Sequence, residues 1–404
     1  MYINRTITAI IHKVSNHFPV LLITGPRQIG KTTCLQKASD TKRTYVTLDD
    51  PQARELAITD PKLFLQRFPP PVLVDEVQYA PQLFSIIKIA VDQGANMGDY
   101  WLTGSQQFHL MANVSESLAG RVGILKMLGF SYAEISDNAS ASKPFSPAKH
   151  IAFAESKPVK LMELYQYIWR GCFPAIVTNN QLDHSLFYSS YVQTYFQGDV
   201  KALVNVGDEM AFMRFLRGAA ARTGQLLNIA ELGRDANITH NTAKKWLSVL
   251  ETSGLVYLLE PYHSNFTKRL VKTPKLYFMD TGLAAYLTQW SSPETLEAGA
   301  ASGAFFETWA ISEIIKSYWH NGKTAPLYFY RDNDQREIDL LIIEDGQISP
   351  VEFKKSSMPD KNDIRHFSAL NKLGLPIGPG AVICMSDSTI PINENVTAIN
   401  IGQI

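Results

Sequence analysis

The stretch Gly25-Pro26-Arg27-Gln28-Ile29-Gly30-Lys31-Thr32 fills every fixed position of a phosphate-binding loop, and nothing else in the chain constrains its fold as strongly. An apolar run from Phe18 to Ile23 reads as a buried strand before the loop, and Thr33 to Ala38 reads as a helix after it. That context is what the chemistry needs. Glycines at both ends let the backbone bend until its N–H groups converge on phosphate oxygens at a helix N-terminus. The nine residues Gly25 to Thr33 are therefore the expected contacts for ATP, with Lys31 reaching the β and γ oxygens and Thr32 ligating Mg²⁺.

A second element says what would happen to the nucleotide. After Pro70-Pro71, the run Val72-Leu73-Val74 reads as a fully buried strand that ends in Asp75-Glu76. Two carboxylates then lie at the carboxyl edge of the sheet, where open α/β sheets bind ligands. Asp75 is placed to hold the Mg²⁺, and Glu76 to orient or deprotonate the attacking water. Hydrolysis is favoured over binding alone.

With 404 residues the chain has room for two to four domains, and Lys+Arg 38 against Asp+Glu 38 leaves no net field to attract nucleic acid or membrane. Any such partner must meet a local patch. Cys34, Cys172 and Cys384 show neither metal-ligand nor disulfide spacing, the N-terminus lacks a signal-peptide profile, and no run is long and apolar enough to span a bilayer. A cytoplasmic location without membrane contact is the expectation.

Strands expected at 18–24, 44–48, 72–74, 100–103 and 122–128 alternate with helical stretches, the pattern of a parallel sheet. Ser136 to Lys149, rich in Ser, Ala and Pro, reads as an exposed loop or linker, and helical aromatic-rich segments follow to about Lys201. Ser105, after the fourth strand, is a candidate sensor of the γ-phosphate, with Thr103 and Gln106 close behind, or simply a polar strand end. Arg121 precedes the fifth strand and is a candidate arginine finger or sensor, or a solvated surface residue.

At these residues a family resemblance emerges. The phosphate loop, the strand ending in Asp75-Glu76, Leu102-Thr103-Gly104-Ser105, Ser117-Leu118-Ala119-Gly120-Arg121, Arg170-Gly171-Cys172-Phe173-Pro174 and the segment Thr273 to Leu283 together resemble prokaryotic AAA-type ATPases with a C-terminal restriction-endonuclease-like (PD-(D/E)XK-type) domain. The resemblance covers nearly the whole chain. It implies an ATPase domain over 1–136, a linker and helical segment over 137–205, a winged-helix-like domain over 206–290 and a nuclease-like domain over 291–404.

The later regions can also be read on their own. A helix at 226–232, a turn, and a helix from Thr239 to Thr252 with Ala243, Trp246, Leu247 and Leu250 on one face suggest a helix-turn-helix, and a following strand at 255–259 a winged helix. Lys244 and Lys245 face away from the apolar stripe, and Lys268, Arg269, Lys272 and Lys275 crowd the next hairpin, a possible DNA footprint. Glu231, Asp235 and Glu251 dilute that charge, and packing alone is an equal use for such a module.

In the last region an amphipathic helix at 305–317 carries Glu307, and strands are expected at 327–330, 337–343 and 348–353. If Asp345-Gly346 makes a two-residue turn, Glu344 faces Gln347 and Asp339 faces Glu352, while Lys354 shares the face of Glu352. Glu307, Asp339 and Glu352 could then hold a metal and Lys354 stabilise a transition state for phosphodiester cleavage. The alternative is a retained ion-pair cluster in an inactive module.

The expectation is an α/β protein combining a P-loop parallel-sheet ATPase domain, a helical and winged-helix middle and a C-terminal α/β nuclease-like domain. Its expected function is Mg²⁺-dependent ATP hydrolysis coupled to nucleic-acid binding or processing, possible as a homo-oligomer. A nucleotide-gated switch or scaffold for protein partners and an ATP-controlled DNA-binding regulator are the alternatives.

Overall fold

The computed structural model describes residues 2–39, 42–105, 117–150, 158–201, 208–262 and 273–404. Five short strands, β1 (Val20–Thr24), β2 (Thr44–Thr47), β3 (Val72–Asp75), β4 (Tyr100–Gly104) and β5 (Val122–Lys126), pair in parallel in the order β2-β3-β4-β1-β5. The central strands have no polar face because both sides of the sheet are covered. Side chains alternate between two cores. Val20, Leu22, Val72, Val74 and Leu102 point to the side packed by helices Pro51–Thr59, Pro61–Arg67 and Gln82–Asp92. Leu21, Ile23, Leu73 and Trp101 point to the other side, where they meet Ile7 and Ile11 of the helix Ile7–Ser15 and Leu35 of the helix Lys31–Ala38.

The second core does not stop at the ATPase unit. It continues through the middle of the chain and reaches Ile399 and Ile401 near the C-terminus. The helices Leu161–Arg170, Pro174–Thr178, His184–Tyr195 and Glu209–Ala220 follow the sheet, with Phe173, Phe187, Tyr188 and Tyr191 packed ring to ring. Next come the helices Ile229–Ala236 and His240–Thr252 and a three-stranded antiparallel sheet in the order β6-β8-β7, made of β6 (Gln225–Leu226), β7 (Val256–Leu259) and β8 (Lys275–Phe278). The first of these helices starts three residues later than expected. The Asn228 side chain caps it by accepting from Ala230 N and Glu231 N, and Leu226 is taken by a strand pair with Lys275. Thr239 caps the second, whose Ala243, Trp246, Leu247 and Leu250 are buried while Lys244 and Lys245 are exposed.

The last unit holds a six-stranded mixed sheet in the order β13-β14-β12-β11-β10-β9, with β9 (Leu327–Arg331), β10 (Glu337–Glu344), β11 (Gln347–Phe353), β12 (Gly380–Cys384), β13 (Ile390–Pro391) and β14 (Val396–Asn400). Against it lies the helix Ser302–Trp319. This helix is not amphipathic as expected but buried nearly all round, from Phe305 and Trp309 to Ile315 and Tyr318, because β8 and the helices Leu161–Arg170 and Thr281–Leu287 of the central unit, residues 161–287, cover the side that would otherwise face water. Among the described residues, no helix is long and apolar enough to cross a membrane.

The stretch after Ser136 also differs from the exposed loop expected of its composition. Phe145 is fully buried; its N–H donates to Ser317 Oγ at 2.9 Å and its carbonyl accepts from Tyr318 OH at 2.9 Å. A single large apolar residue, invisible to a Ser/Ala/Pro count, straps this segment onto the last unit.

A buried ionic cluster makes the same join. Glu134 accepts from Thr6 N at 2.8 Å and Ser131 N at 3.0 Å, and its Oε1 lies 3.4 Å from both Arg5 Nε and His320 Nδ1. Arg5 in turn donates to Leu128 O at 2.6 Å. Burial alone would raise the Glu134 pKa, but Arg5 and His320 outweigh it and hold it at about 2. Burial lowers the pKa of His320, so Arg5 is the lasting positive partner. Glu134→Gln should strand the Arg5 guanidinium and cost about 3–5 kcal/mol in denaturant unfolding. Because the folded pKa lies below the ordinary 4.5, the Glu134 contribution is complete above that value and is lost as pH falls from 4.5 towards 2. An acid-unfolding curve should show a loss of stability across that window that the variant lacks.

Candidate functional site

The loop leaves β1 at the carboxyl edge of the sheet and turns sharply at Gly25, whose φ is 151°. A Cβ there would sit 2.0 Å from Met127 O and 2.8 Å from Ile29 Cδ1, so only glycine fits. Ile29 is buried and anchors the loop from below, while Gln28 and Gly30, with φ of 61° and 83°, turn the backbone back into the helix Lys31–Ala38. The N–H groups of the first helical turn then face the loop interior. Lys31 is buried, and its ammonium donates to Gly25 O at 3.0 Å and Pro26 O at 2.7 Å.

Three hydroxyls, one from the helix Lys31–Ala38 and two from the strands β4 and β2, converge on Asp75 at the end of β3. Thr32 Oγ1 donates to Asp75 Oδ1 at 2.8 Å, Thr103 Oγ1 to the same oxygen at 2.5 Å, and Tyr45 OH to Oδ2 at 3.2 Å. Burial, then Asp75, pushes the Tyr45 phenol up to about 12, so it stays a donor at neutral pH. Glu76 follows in a left-handed conformation, φ 55°, which swings its carboxylate towards β4; there Oε2 accepts from Ser105 Oγ at 3.2 Å and from Gln78 Nε2. Lys31, Thr32, Asp75, Glu76 and Ser105 thus share one edge of the sheet. The oxygen set of Thr32 and Asp75, hard donors at the mouth of a phosphate loop, fits Mg²⁺.

Tyr45 and Gln78 were not singled out by sequence reasoning, because no motif marks an isolated hydroxyl or amide that reaches a site from a neighbouring strand or turn. Nor was the contact of the central unit with the loop. A Cβ on Gly30 would lie 3.7 Å from Pro174 Cγ, and one on Gly198 would lie 3.2 Å from Arg27 Nη2.

Arg121 does not join the site of its own chain. Val122 pairs with Val20, the first residue of β1, so Arg121 enters the sheet at its amino edge, whereas the phosphate loop leaves after Thr24 at the carboxyl edge. At about 3.3 Å per residue those four steps separate the two by about 13 Å. Its Nε instead pairs with Asp92 Oδ1 at 2.6 Å. Gln106, Lys268, Arg269 and Lys272 lie outside the described residues.

In the last unit, β10 and β11 pair from Leu340↔Val351 to Glu344↔Gln347 around the turn Asp345-Gly346, whose φ values are 51° and 74°. The regular ladder ends one pair before Asp339 and Glu352. There β10 is bulged against β9 between Ile338 and Leu341, and Asp339 Oδ2 accepts from Phe353 N at 3.0 Å. Glu352 Oε1 lies 3.0 Å from Lys354 Nζ.

Glu307 accepts from Tyr277 OH at 2.5 Å and from Lys275 Nζ at 3.2 Å; the same ammonium is 2.7 Å from Glu337 and 3.8 Å from Asp339. Burial, followed by the charge of Asp339, pushes Glu307 up to about 7 and Glu352 to about 8. Burial would lower Lys275, but Glu307, Asp339 and Glu337 outweigh it and raise its pKa. Among the described residues, no group of three or more His, Cys, Asp or Glu is arranged to hold a metal. For Glu307, Asp339 and Glu352, expected as metal ligands, the neighbouring cations are instead Lys275 and Lys354.

Three family models match the chain. Residues 17–136 match an AAA domain, residues 161–294 a domain of unknown function (DUF8612), and residues 302–404 another domain of unknown function (DUF4143). The chain is 27% identical over 405 residues to the uncharacterized protein Rv2008c of Mycobacterium tuberculosis and equally to Mb2031c of Mycobacterium bovis, covering 99% of this chain and 84% of each relative. Among solved structures, the Walker-type ATPase PABY2304 of Pyrococcus abyssi superposes with a TM-score of 0.44 at 14% identity, over 70% of this chain and 94% of that one. RuvB of Thermotoga maritima superposes at 0.31 and 11% identity, over 63% and 89%. At such scores the superpositions carry no functional information. The AAA match, on the parallel sheet and loop described above, makes residues 17–136 an AAA-type ATPase domain, which supports ATP binding and hydrolysis.

Because a Cβ at Gly25 would displace Met127 O or reshape the loop, Gly25→Ala should weaken binding of a fluorescent ATP analogue by about tenfold or more, roughly 1.4 kcal/mol. Thermal unfolding of the same variant checks that the sheet persists.

Proposed function

We propose that the chain is a Mg²⁺-dependent ATPase whose hydrolysis is coupled to nucleic-acid binding or processing by the units that follow. The observation that carries the first half is the convergence of Thr32 and Thr103 on Asp75, with Glu76 held by Ser105 beside it. Mg²⁺ on Thr32 Oγ1 and Asp75 would neutralise charge developing on the phosphate oxygens. The Lys31 ammonium would exchange the carbonyls of Gly25 and Pro26 for the β and γ oxygens, while loop N–H groups hold the remainder. Glu76 would orient the attacking water and accept its proton; Ser105 aligns that carboxylate and senses whether the γ-phosphate is present.

Exposed Lys244 and Lys245 on a capped helix after a helix and turn support a winged-helix module that meets phosphate backbones, and the strand pair bearing Asp339 and Glu352, with Lys354 just after it, supports a nuclease-like fold. The reading of a nucleotide-gated switch or scaffold with an inactive nuclease-like module is favoured by one observation: Lys275 already lies among the carboxylates. Arg121, at the opposite edge from its own loop, is either a surface residue held by Asp92 or an arginine finger for a neighbouring subunit in a homo-oligomer.

Lys31→Ala should cut ATP turnover by about 10²–10³-fold and weaken nucleotide binding. Glu76→Gln should keep ATP bound yet lose turnover, and wild-type phosphate release by Glu76→Gln would remove Glu76 from its role. If Arg121 acts in trans, turnover per chain rises with protein concentration and Arg121→Ala abolishes that rise; turnover strictly proportional to concentration in a chain that stays monomeric with ATP contradicts it.

A further inference from the structure

Lys275 belongs to the central unit but is spent on the last one. It opens β8, paired with Leu226 on one side and Leu259 on the other, so its backbone is fixed by two neighbouring strands. Just beyond β7 the central sheet is tied to the C-terminal sheet, with Tyr262 N donating to Phe329 O at 2.7 Å and Phe329 N to Glu260 O at 3.1 Å. The side chain, only 4% exposed, passes over the Phe329 ring and delivers its ammonium between the helix Ser302–Trp319 and β10. There it meets Glu337, Glu307 and Asp339 at 2.7, 3.2 and 3.8 Å.

Carboxylate oxygens suit hard cations, but these three, drawn from two different elements, are gathered on an ammonium and, as they stand, are not arranged to hold a metal. The charge is nearly balanced without one. Lys275 meets Glu307, Glu337 and Asp339, Lys354 meets Glu352, and Arg331 lies 3.1 Å from Glu337, so three cations already serve four carboxyl groups, two of which burial pushes towards the protonated form. A second cation would have to displace the ammonium or share its oxygens at closer range, with like-charge repulsion against a buried ammonium.

We propose that Lys275 is an intramolecular cap: a tethered ammonium that occupies the cation position of the Glu307–Glu337–Asp339 cluster and excludes divalent metal in this arrangement. The C-terminal module is then closed by the central unit, and opening it requires β8 to withdraw. This inference does not depend on the ATPase reading, and it bears on whether the last unit processes nucleic acid or acts as a scaffold.

The test is a Mn²⁺ titration of the full nucleotide-free chain, followed by electron paramagnetic resonance, for wild type, Asp339→Asn, Lys275→Met and the double variant. Wild type and Asp339→Asn should bind Mn²⁺ identically, Lys275→Met should gain a site, and the double variant should lose it. Asp339-dependent Mn²⁺ binding by wild type overturns the cap, and so does a folded Lys275→Met that gains nothing. Lys275→Gln, closer in shape, replaces Lys275→Met if the latter fails to fold; if neither folds, the comparison of wild type with Asp339→Asn decides alone. No nucleotide is present, so the outcome is independent of whether the chain hydrolyses ATP.

Discussion

The hydrogen bonds to the Asp75 carboxylate order the candidate site. A buried carboxylate is stable only if its oxygens are satisfied, and here Thr32, Thr103 and Tyr45 satisfy them from the phosphate helix, β4 and β2. The strand order makes this possible: β3 lies between β2 and β4, and β4 lies beside β1, so the loops after β1, β3 and β4 open at one edge. Each hydroxyl ties its own strand or helix to the acid. Loss of the charge would loosen the loop, the neighbouring strand ends and the Glu76 turn together.

Around that edge the units are not beads on a string. One hydrophobic core runs from Ile7 through Leu21 and Tyr188 to Ile401, and the Glu134 cluster joins residues from Arg5 to His320. Pro174 and Gly198 of the central unit lie beside Gly30 and Arg27 of the phosphate loop, and the nearby Cys172 N–H donates to Asp280 Oδ2 at 2.6 Å, on the segment that began with Lys275 in β8. Nucleotide-dependent movement of the loop would therefore press on elements that also hold the C-terminal carboxylates. A two-state displacement along this path is what coupling requires.

How much of this was legible depended on whether the cause was local. Buried strands announce themselves as apolar runs, and the Asp345-Gly346 turn sets the register of its hairpin, so both could be read from the chain. The position of Arg121 was readable in principle: a residue that precedes a parallel strand must lie at the opposite edge from a loop that follows one. The burial of Phe145 and the all-round burial of the helix Ser302–Trp319 were not readable, because the surface that covers them comes from distant segments. Lys275 was misread for the same reason. In the sequence it stands with Lys268, Arg269 and Lys272 as one more basic residue, and only the fold turns it inward to Glu307 and Glu337.

The most direct test of the central claim is calorimetric titration of a slowly hydrolysed ATP analogue into wild type and Asp75→Asn, each with and without Mg²⁺. If Thr32 and Asp75 hold the metal against the phosphates, Mg²⁺ tightens binding to wild type by about tenfold or more, roughly 1.4 kcal/mol, and has little effect on the variant. Equal Mg²⁺ dependence in both proteins, or none in wild type, would contradict the claim that Thr32 and Asp75 hold the metal, and no binding of the analogue at all would contradict the assignment of this edge of the sheet as the nucleotide site.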